Sequence, residues 1–259
     1  MDTSYWHKQD PNKPLFSDLI WSRPENKRHA GKLAIVGGNS FGFAAPGQAY
    51  GEANKAGIGV TRVLMPEAVK KAAGGLLPEL EFSASNPSGS FAQASLSSWL
   101  DAADWADGVL LAGDLGHNSE TTIVVEKFLN KYSGQVTLTQ DAIGYGLQLP
   151  NIVDRQNTLL VMTMAELQKL AIVAHSELAF THDMDLLRLV DALHDFTQTH
   201  ACFIVVTHLD NIFVAVNGQV STTSLLDNQK VSAASASVWW LQNKTKPFEA
   251  ITSSQLQHN

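Results

Sequence analysis

The chain has 259 residues, 44% of them hydrophobic and 17% charged, a balance that supplies a sizeable core and excludes wholesale disorder. The formal net charge of −7 argues against a broad nucleic-acid footprint, because phosphate backbones are held by clustered cations. Cys202 is the only cysteine, so an intramolecular disulfide is excluded, which fits a reducing compartment.

Residues 1–31 are polar and carry Pro11, Pro14 and Pro24, with no apolar stretch of the secretory type. They are expected to form an arm that wraps or caps a single domain spanning 1–259. No segment approaches the roughly 20 apolar residues a membrane helix needs, so the expectation is a soluble, cytoplasmic protein with neither membrane nor nucleic-acid partners. Then a rhythm sets in. "LAIVGG" (33–38) reads as a buried strand, "AAPGQAYGEANKA" (44–56) as a helix of small residues, and "GVTRVLMP" (59–66) as a second strand. A helix over 91–104, a strand over 108–113, a helix over 120–132 and strands over 135–139 and 158–163 follow, then helices over 164–174 and 183–200. In the last of these, apolar residues at 186, 189, 190, 193 and 196 mark one helical face. Continuous apolar strands separated by helices imply an α/β fold whose parallel sheet is covered on both faces. Near the C-terminus, "CFIVVT" (202–207), "NIFVAV" (211–216) and "QVSTT" (219–223) crowd together. With Asp210-Asn211 and Asn217-Gly218 as turns, they read as antiparallel hairpins. A long helix is expected over 228–244.

Three strand exits carry chemistry. Gly37-Gly38-Asn39-Ser40 joins a strand to a helix and offers backbone amides to an anion, or needs glycine only for its backbone conformation. "AGDLGHNSET" (112–121) puts Asp114, Gly116 and His117 at a strand's carboxyl end, the edge where open α/β sheets bind ligands. Asn118 or Ser119 there would also serve as a helix cap. Asp141 follows the strand at 135–139, placed to meet a metal or a substrate hydroxyl, or to cap a short helix. The histidines show no zinc-type spacing, and Trp239-Trp240 reads as core or subunit interface.

In this order, the motifs of residues 20–225 resemble the ADP/ATP-dependent NAD(P)H-hydrate dehydratases of the ribokinase-like superfamily. Lys27 and Gly31 match a His-Lys-Gly stretch in which Asn26 replaces the histidine. Gly37 and Gly38 match the Gly-Gly turn, Ala45 and Pro46 the Gly-Ala-Pro that approaches substrate, and Gly57 and Gly59 a Gly-x-Gly. "LLAGDLG" stands for a Gly-Pro-Gly-Leu-Gly loop with Asp114 replacing a glycine and Gly116 retained. "TQDAI" retains Asp141 of Asp-Ala-Asp-Ala-Leu. "VMTMAELQKL" retains Glu166 and places Thr163 where the family has a substrate-contacting histidine. The resemblance implies a ribokinase-like three-layer fold and a substrate pocket of Gly38, Ala45, Pro46, Asp114, Gly116, Asp141, Thr163 and Glu166. It also implies ADP or ATP as cofactor, Mg as a possible metal, the hydrate of NAD(P)H as substrate, and a homo-oligomer.

Two departures stand out. Thr207-His208 replaces the Lys-Gly before the nucleotide hairpin. The Gly-x-Gly-Asp segment, whose amides and aspartate serve phosphoryl transfer in the family, becomes "SLLDNQKVSAASA" (224–236) without a glycine. Phosphoryl transfer depends on positioning and on stabilising charge on the phosphate oxygens, and side chains obstruct the close backbone approach that glycines permit. Asp227 is a displaced catalytic base or the N-cap of the last helix, and Lys230 is placed to meet a phosphate. The sequence thus predicts either a dehydratase-like enzyme of nicotinamide-nucleotide repair or a non-catalytic relative that binds a nucleotide or supports an assembly.

Overall fold

The computed structural model describes residues 3–226 and 229–256. Its strands are β1 (Trp6–Gln9), β2 (Lys32–Gly37), β3 (Val60–Pro66), β4 (Leu80–Ser83), β5 (Gly108–Gly113), β6 (Val136–Thr139), β7 (Thr158–Met162), β8 (Phe203–His208), β9 (Asn211–Val216) and β10 (Gln219–Ser224). Its helices are α1 (Ser17–Trp21), α2 (Ala44–Lys55), α3 (Lys70–Ala73), α4 (Leu96–Trp105), α5 (Ser119–Lys131), α6 (Asp141–Gly146), α7 (Met164–Val173), α8 (Leu186–Thr199), α9 (Ala233–Gln242) and α10 (Pro247–Ser253). The strands form one sheet in the order β1-β10-β9-β8-β7-β6-β5-β2-β3-β4. Pairing is parallel throughout except on the two sides of β9.

The unbroken apolar runs of the sequence are explained by burial on both faces. Leu33 and Ile35 of β2 point to one apolar cluster, Ala34 and Val36 to the other. Val109 and Leu111 of β5 alternate with Leu110 and Ala112 in the same way, as a side-chain period of two requires. One cluster is built with α4 to α8, where Trp99 meets Phe91 and Phe128 edge-on at 5.0 and 5.6 Å. The other is built with α2, α9 and α10. Trp239 and Trp240 lie in it, at 0% and 3% exposure. Trp239 stacks under Arg23 and Trp240 meets Phe203. Both tryptophans are therefore spent inside the chain, not on an interface with a second copy.

Several boundaries differ from the sequence-based expectation. Part of the N-terminal arm enters the sheet, as β1 beside β10. The helix expected over 91–104 starts with a 3-10 turn, Gln93–Ser95, before α4. The β8–β9 turn is Leu209-Asp210, with φ of +47° and +54°, one residue earlier than expected, because His208 pairs with Asn211. Asn217-Gly218 turns as expected, with φ of +48° and +78°, the conformation of a two-residue hairpin. The last long helix begins at Ala233, and its N-cap is Ser232. That cap is not Asp227, which lies outside the described residues.

Candidate functional site

The carboxyl ends of β2, β5, β6, β7 and β8 lie side by side, and most of the residues singled out in the sequence sit there. At the β2 exit Gly38 N–H donates to Gly113 O at 3.1 Å. The approach is close enough that a Cβ on Gly37 would sit 2.5 Å from that same oxygen, so glycine is required here by space. Asn39 and Gly42 close a turn through Asn39 N–H to Gly42 O at 2.8 Å and the reverse bond at 3.2 Å. The Asn39 side chain accepts from Phe41 N–H at 2.7 Å and donates to Asp114 O at 2.6 Å. It thereby ties the β2 exit to the β5 exit.

Asp114 is held with φ of +55°, a conformation that Asp and Asn tolerate better than most residues. Its Oδ2 accepts from Ala45 N–H at 2.8 Å. Ala45 is in the first turn of α2, where amides have no partner within the helix. Pro46 next to it has no N–H to offer. The helix terminus that the sequence offered to an anion is therefore filled by the chain's own carboxylate.

Behind Asp114, Gly116 N–H donates to Asp141 Oδ2 at 3.1 Å, and Gly116 O accepts from the Tyr145 hydroxyl. Asp141 Oδ1 is buried with no hydrogen-bond partner among the described residues. Burial pushes its carboxyl pKa up and the neighbouring Asp114 charge adds to this, against the pull of the Gly116 amide. Asp141 opens α6 without capping it. Asn118 caps α5 through its bond from Glu120 N–H at 2.8 Å, and His117 is exposed.

Thr163 and Glu166 form a capping box on α7. Glu166 Oε2 accepts from Thr163 N–H at 2.7 Å and from its hydroxyl at 2.9 Å, while Thr163 Oγ1 accepts from Glu166 N–H at 3.3 Å. Both side chains also line a slot of about 210 Å³ with Thr139, Val161, Val205 and Thr207. His208 is turned away to Met184 O, 2.9 Å from Nε2.

Lys230 lies in a separate cleft of about 350 Å³ with Lys55, Glu52 and Ser232. It has no ion-pair partner among the described residues. Ser232 accepts from Ser235 N–H at 3.0 Å to cap α9 and donates to Glu52 Oε2 at 2.6 Å. A carboxylate thus stands beside the helix start where the resemblance places an anion hole. Among the described residues the start of α9 is not an open amide cradle for a polyphosphate, and Lys55 and Lys230 are the cations of its cleft. The segment lacks glycine, the first turn of α9 is capped by Ser232, and carboxylates stand near both helix starts. Among the described residues no three His, Cys, Asp or Glu side chains gather as a metal site.

The residues named from sequence thus fall into three groups, Gly38, Ala45, Pro46, Asp114, Gly116 and Asp141 together, Thr163, Glu166 and Thr207 at the slot, and Lys230 apart, with His208 outside all three against Met184 O. Gln140 joins the first two, since it lines the slot and a Cβ on Gly113 would meet its Cβ at 2.8 Å. Gln140, Tyr145, Thr139 and Glu52 were missed. Gln140 and Thr139 were within reach of the strand-exit argument; Glu52 reaches Ser232 only through the tertiary packing of α2 on α9 and leaves no local signal.

No protein-family model matches the sequence, and no curated protein matches it. Solved structures do match. A ribokinase-like superfamily protein from Enterococcus faecalis V583 superposes with a TM-score of 0.71 at 13% identity, over 98% of this chain and 86% of that one. A hypothetical protein from Streptococcus mutans gives 0.68 at 16% identity, over 93% and 85%. The ADP/ATP-dependent NAD(P)H-hydrate dehydratase from Bacillus subtilis, co-crystallised with ATP/Mg2+ and soaked with CoA, gives 0.60 at 15% identity, over 94% and 86%. At these identities the likeness is one of fold: this chain has the ribokinase-like architecture, a mostly parallel sheet with helices on both faces and antiparallel strands toward its C-terminal end.

Proposed function

We propose that this chain is a single-domain, non-catalytic relative of the NAD(P)H-hydrate dehydratases that binds a nucleotide-derived ligand at the carboxyl edge of its sheet without transferring phosphate. The observation that carries this reading is the bond from Ala45 N–H to Asp114 Oδ2 at 2.8 Å. A fixed carboxylate at a helix N-terminus is satisfied by the dipole and amides that would otherwise favour an incoming anion. The same carboxylate repels phosphate oxygens on which transfer would accumulate charge. At α9 the cap is the Ser232 hydroxyl, which accepts from Ser235 N–H and donates to the Glu52 carboxylate.

A second reading, dehydratase turnover in nicotinamide-nucleotide repair with ADP or ATP and Mg, is favoured by Asp141. Its raised carboxyl pKa and an oxygen without a partner among the described residues are features common to groups that handle protons. One experiment separates the two. The protein is incubated with hydrated NADH, ADP or ATP, and Mg, and NADH absorbance is followed beside nucleotide thermal shifts. Ligand-induced stabilisation without recovery of NADH supports the first reading; ADP- or ATP-dependent recovery overturns it.

A further inference from the structure

We infer that the slot at the carboxyl ends of β6, β7 and β8 takes an uncharged nitrogen heterocycle, the base or nicotinamide portion of the ligand, and that phosphate groups add nothing to its hold. This rests on the binding reading above and names the moiety bound.

Strand register builds the slot. Thr139 is the partner of Val161, and Val161 of Val205, across three adjacent strands. The three side chains therefore form one row on one face of the sheet. Val161 and Val205 belong to the apolar cluster beneath α9. Thr207 lies two residues beyond Val205 on β8 and so on the same face, and Thr163, the residue after β7 and the N-cap of α7, also lines the slot. Val231, from the segment leading into α9, also lines the slot.

Size limits the occupant. The slot holds about 210 Å³. An apolar cavity of about 150 Å³ suffices for benzene, whereas drug-sized ligands occupy roughly 300–1,000 Å³. One substituted ring or a fused base fits; a whole dinucleotide does not.

Polarity limits it further. The Thr139 and Thr207 hydroxyls have no hydrogen-bond partner among the described residues, and each can both donate and accept. They stand on either side of a valine floor, as the two polar edges of a heterocycle require. Glu166 is the only ionisable side chain in the lining, and its Oε2 is already committed to Thr163. A phosphate in the slot would find hydroxyls but no Lys or Arg, and would stand beside the Glu166 carboxylate over an apolar floor, so its charge would be desolvated without an opposite charge to offset it.

The test is calorimetric titration of the intact protein with nicotinamide, adenosine, AMP and ATP–Mg. It is repeated on Thr207→Val, which keeps shape and loses the hydroxyl, and on Val231→Phe, which fills the slot from a half-buried wall. Nicotinamide or adenosine should bind. AMP and ATP should bind no tighter than adenosine. Thr207→Val should weaken binding roughly fivefold, the size of one net hydrogen bond, and Val231→Phe by at least tenfold. Binding of ATP tenfold tighter than adenosine overturns the inference. So does the failure of both heterocycles to bind, or retention of full affinity by Thr207→Val. Hydrate turnover is scored separately: recovery of NADH defeats the non-transferring reading, while a protein inert to both turnover and heterocycles defeats only the assignment of the slot.

Discussion

Asp114 makes one side-chain bond and occupies one unusual backbone conformation, and the two can be separated by substitution. Its charge-assisted bond to Ala45 N–H contributes about 1.5–3 kcal/mol on loss. Its φ of +55° costs a residue with a Cβ about 1–2 kcal/mol that glycine does not incur. Asp114→Gly loses the bond and relieves the strain, so it should be less stable by about 1 kcal/mol. Asp114→Ala loses the bond and keeps the strain, so it should fall below the glycine variant by about 1–2 kcal/mol. Asp114→Asn keeps an acceptor and a tolerated conformation. It loses only the interaction of charge with the α2 terminus, about 0.3–1 kcal/mol. Urea unfolding should therefore rank the proteins wild type, Asn, Gly, Ala, with unchanged slopes. The glycine variant also vacates the first turn of α2, so sulfate should raise its melting temperature more than that of the wild type. An alanine variant as stable as the glycine one, together with equal sulfate responses, would refute the capping account.

Three further outcomes follow from the same kind of accounting. Burial raises the folded-state pKa of Asp141 above its unfolded value, so the native protein holds the proton more tightly. The associated stability is present in acid and is lost as pH rises through the folded-state pKa. Asp141→Asn should thus gain on the wild type from acid to neutral pH in denaturant midpoints; a difference that is flat with pH would contradict this. Thr163→Ala removes one half of the α7 capping box and should cost about 1 kcal/mol in unfolding. A much larger loss of ligand affinity than of stability would instead mark Thr163 as a direct contact. Arg155 donates to Leu129 O, Gln156 O and Thr158 Oγ1 at 3.1, 3.1 and 2.7 Å and also to Tyr132 O and Gly134 O. A lysine has three donors and no fork, so Arg155→Lys should cost about 2–4 kcal/mol, read as a drop in melting temperature.

The sheet's parallel heart was legible because β2, β5, β7 and β8 are buried on both sides and read as unbroken apolar runs. β1 was not legible, because "WHKQ" has one fully buried residue of four, and its place is set by pairing with β10. β4 was equally obscure by pattern: Leu80 and Phe82 are only half-buried at the sheet's far edge. At the site, strand exits were readable as positions, whereas partnerships were not. Nothing local reveals that Asp114 turns back onto α2, since that depends on a left-handed backbone and on Asn39 reaching across from another strand. The Thr163/Glu166 capping box could have been read from the spacing alone, Thr-x-x-Glu before an apolar run.

The ligand-side argument turns on what a carboxylate does at a helix start. An empty N-terminus with glycines around it is an anion site in waiting, because its amides are unsatisfied and its dipole is uncompensated. Here both candidate termini are compensated internally, α2 by Asp114 and α9 by Ser232 with Glu52 behind it. A phosphate at α2 would stand against the Asp114 carboxylate, and at α9 Glu52 offsets part of the positive charge that Lys55 and Lys230 bring to the cleft. Thr139 and Thr207, by contrast, have hydroxyls with no partner among the described residues, over an apolar floor, so filling that slot breaks no hydrogen bond within the described residues. On the proposed reading, the favourable binding at this edge comes from the neutral slot rather than from the helix termini. A variant with glycine at 114 should shift that balance toward anions without altering affinity for a heterocycle.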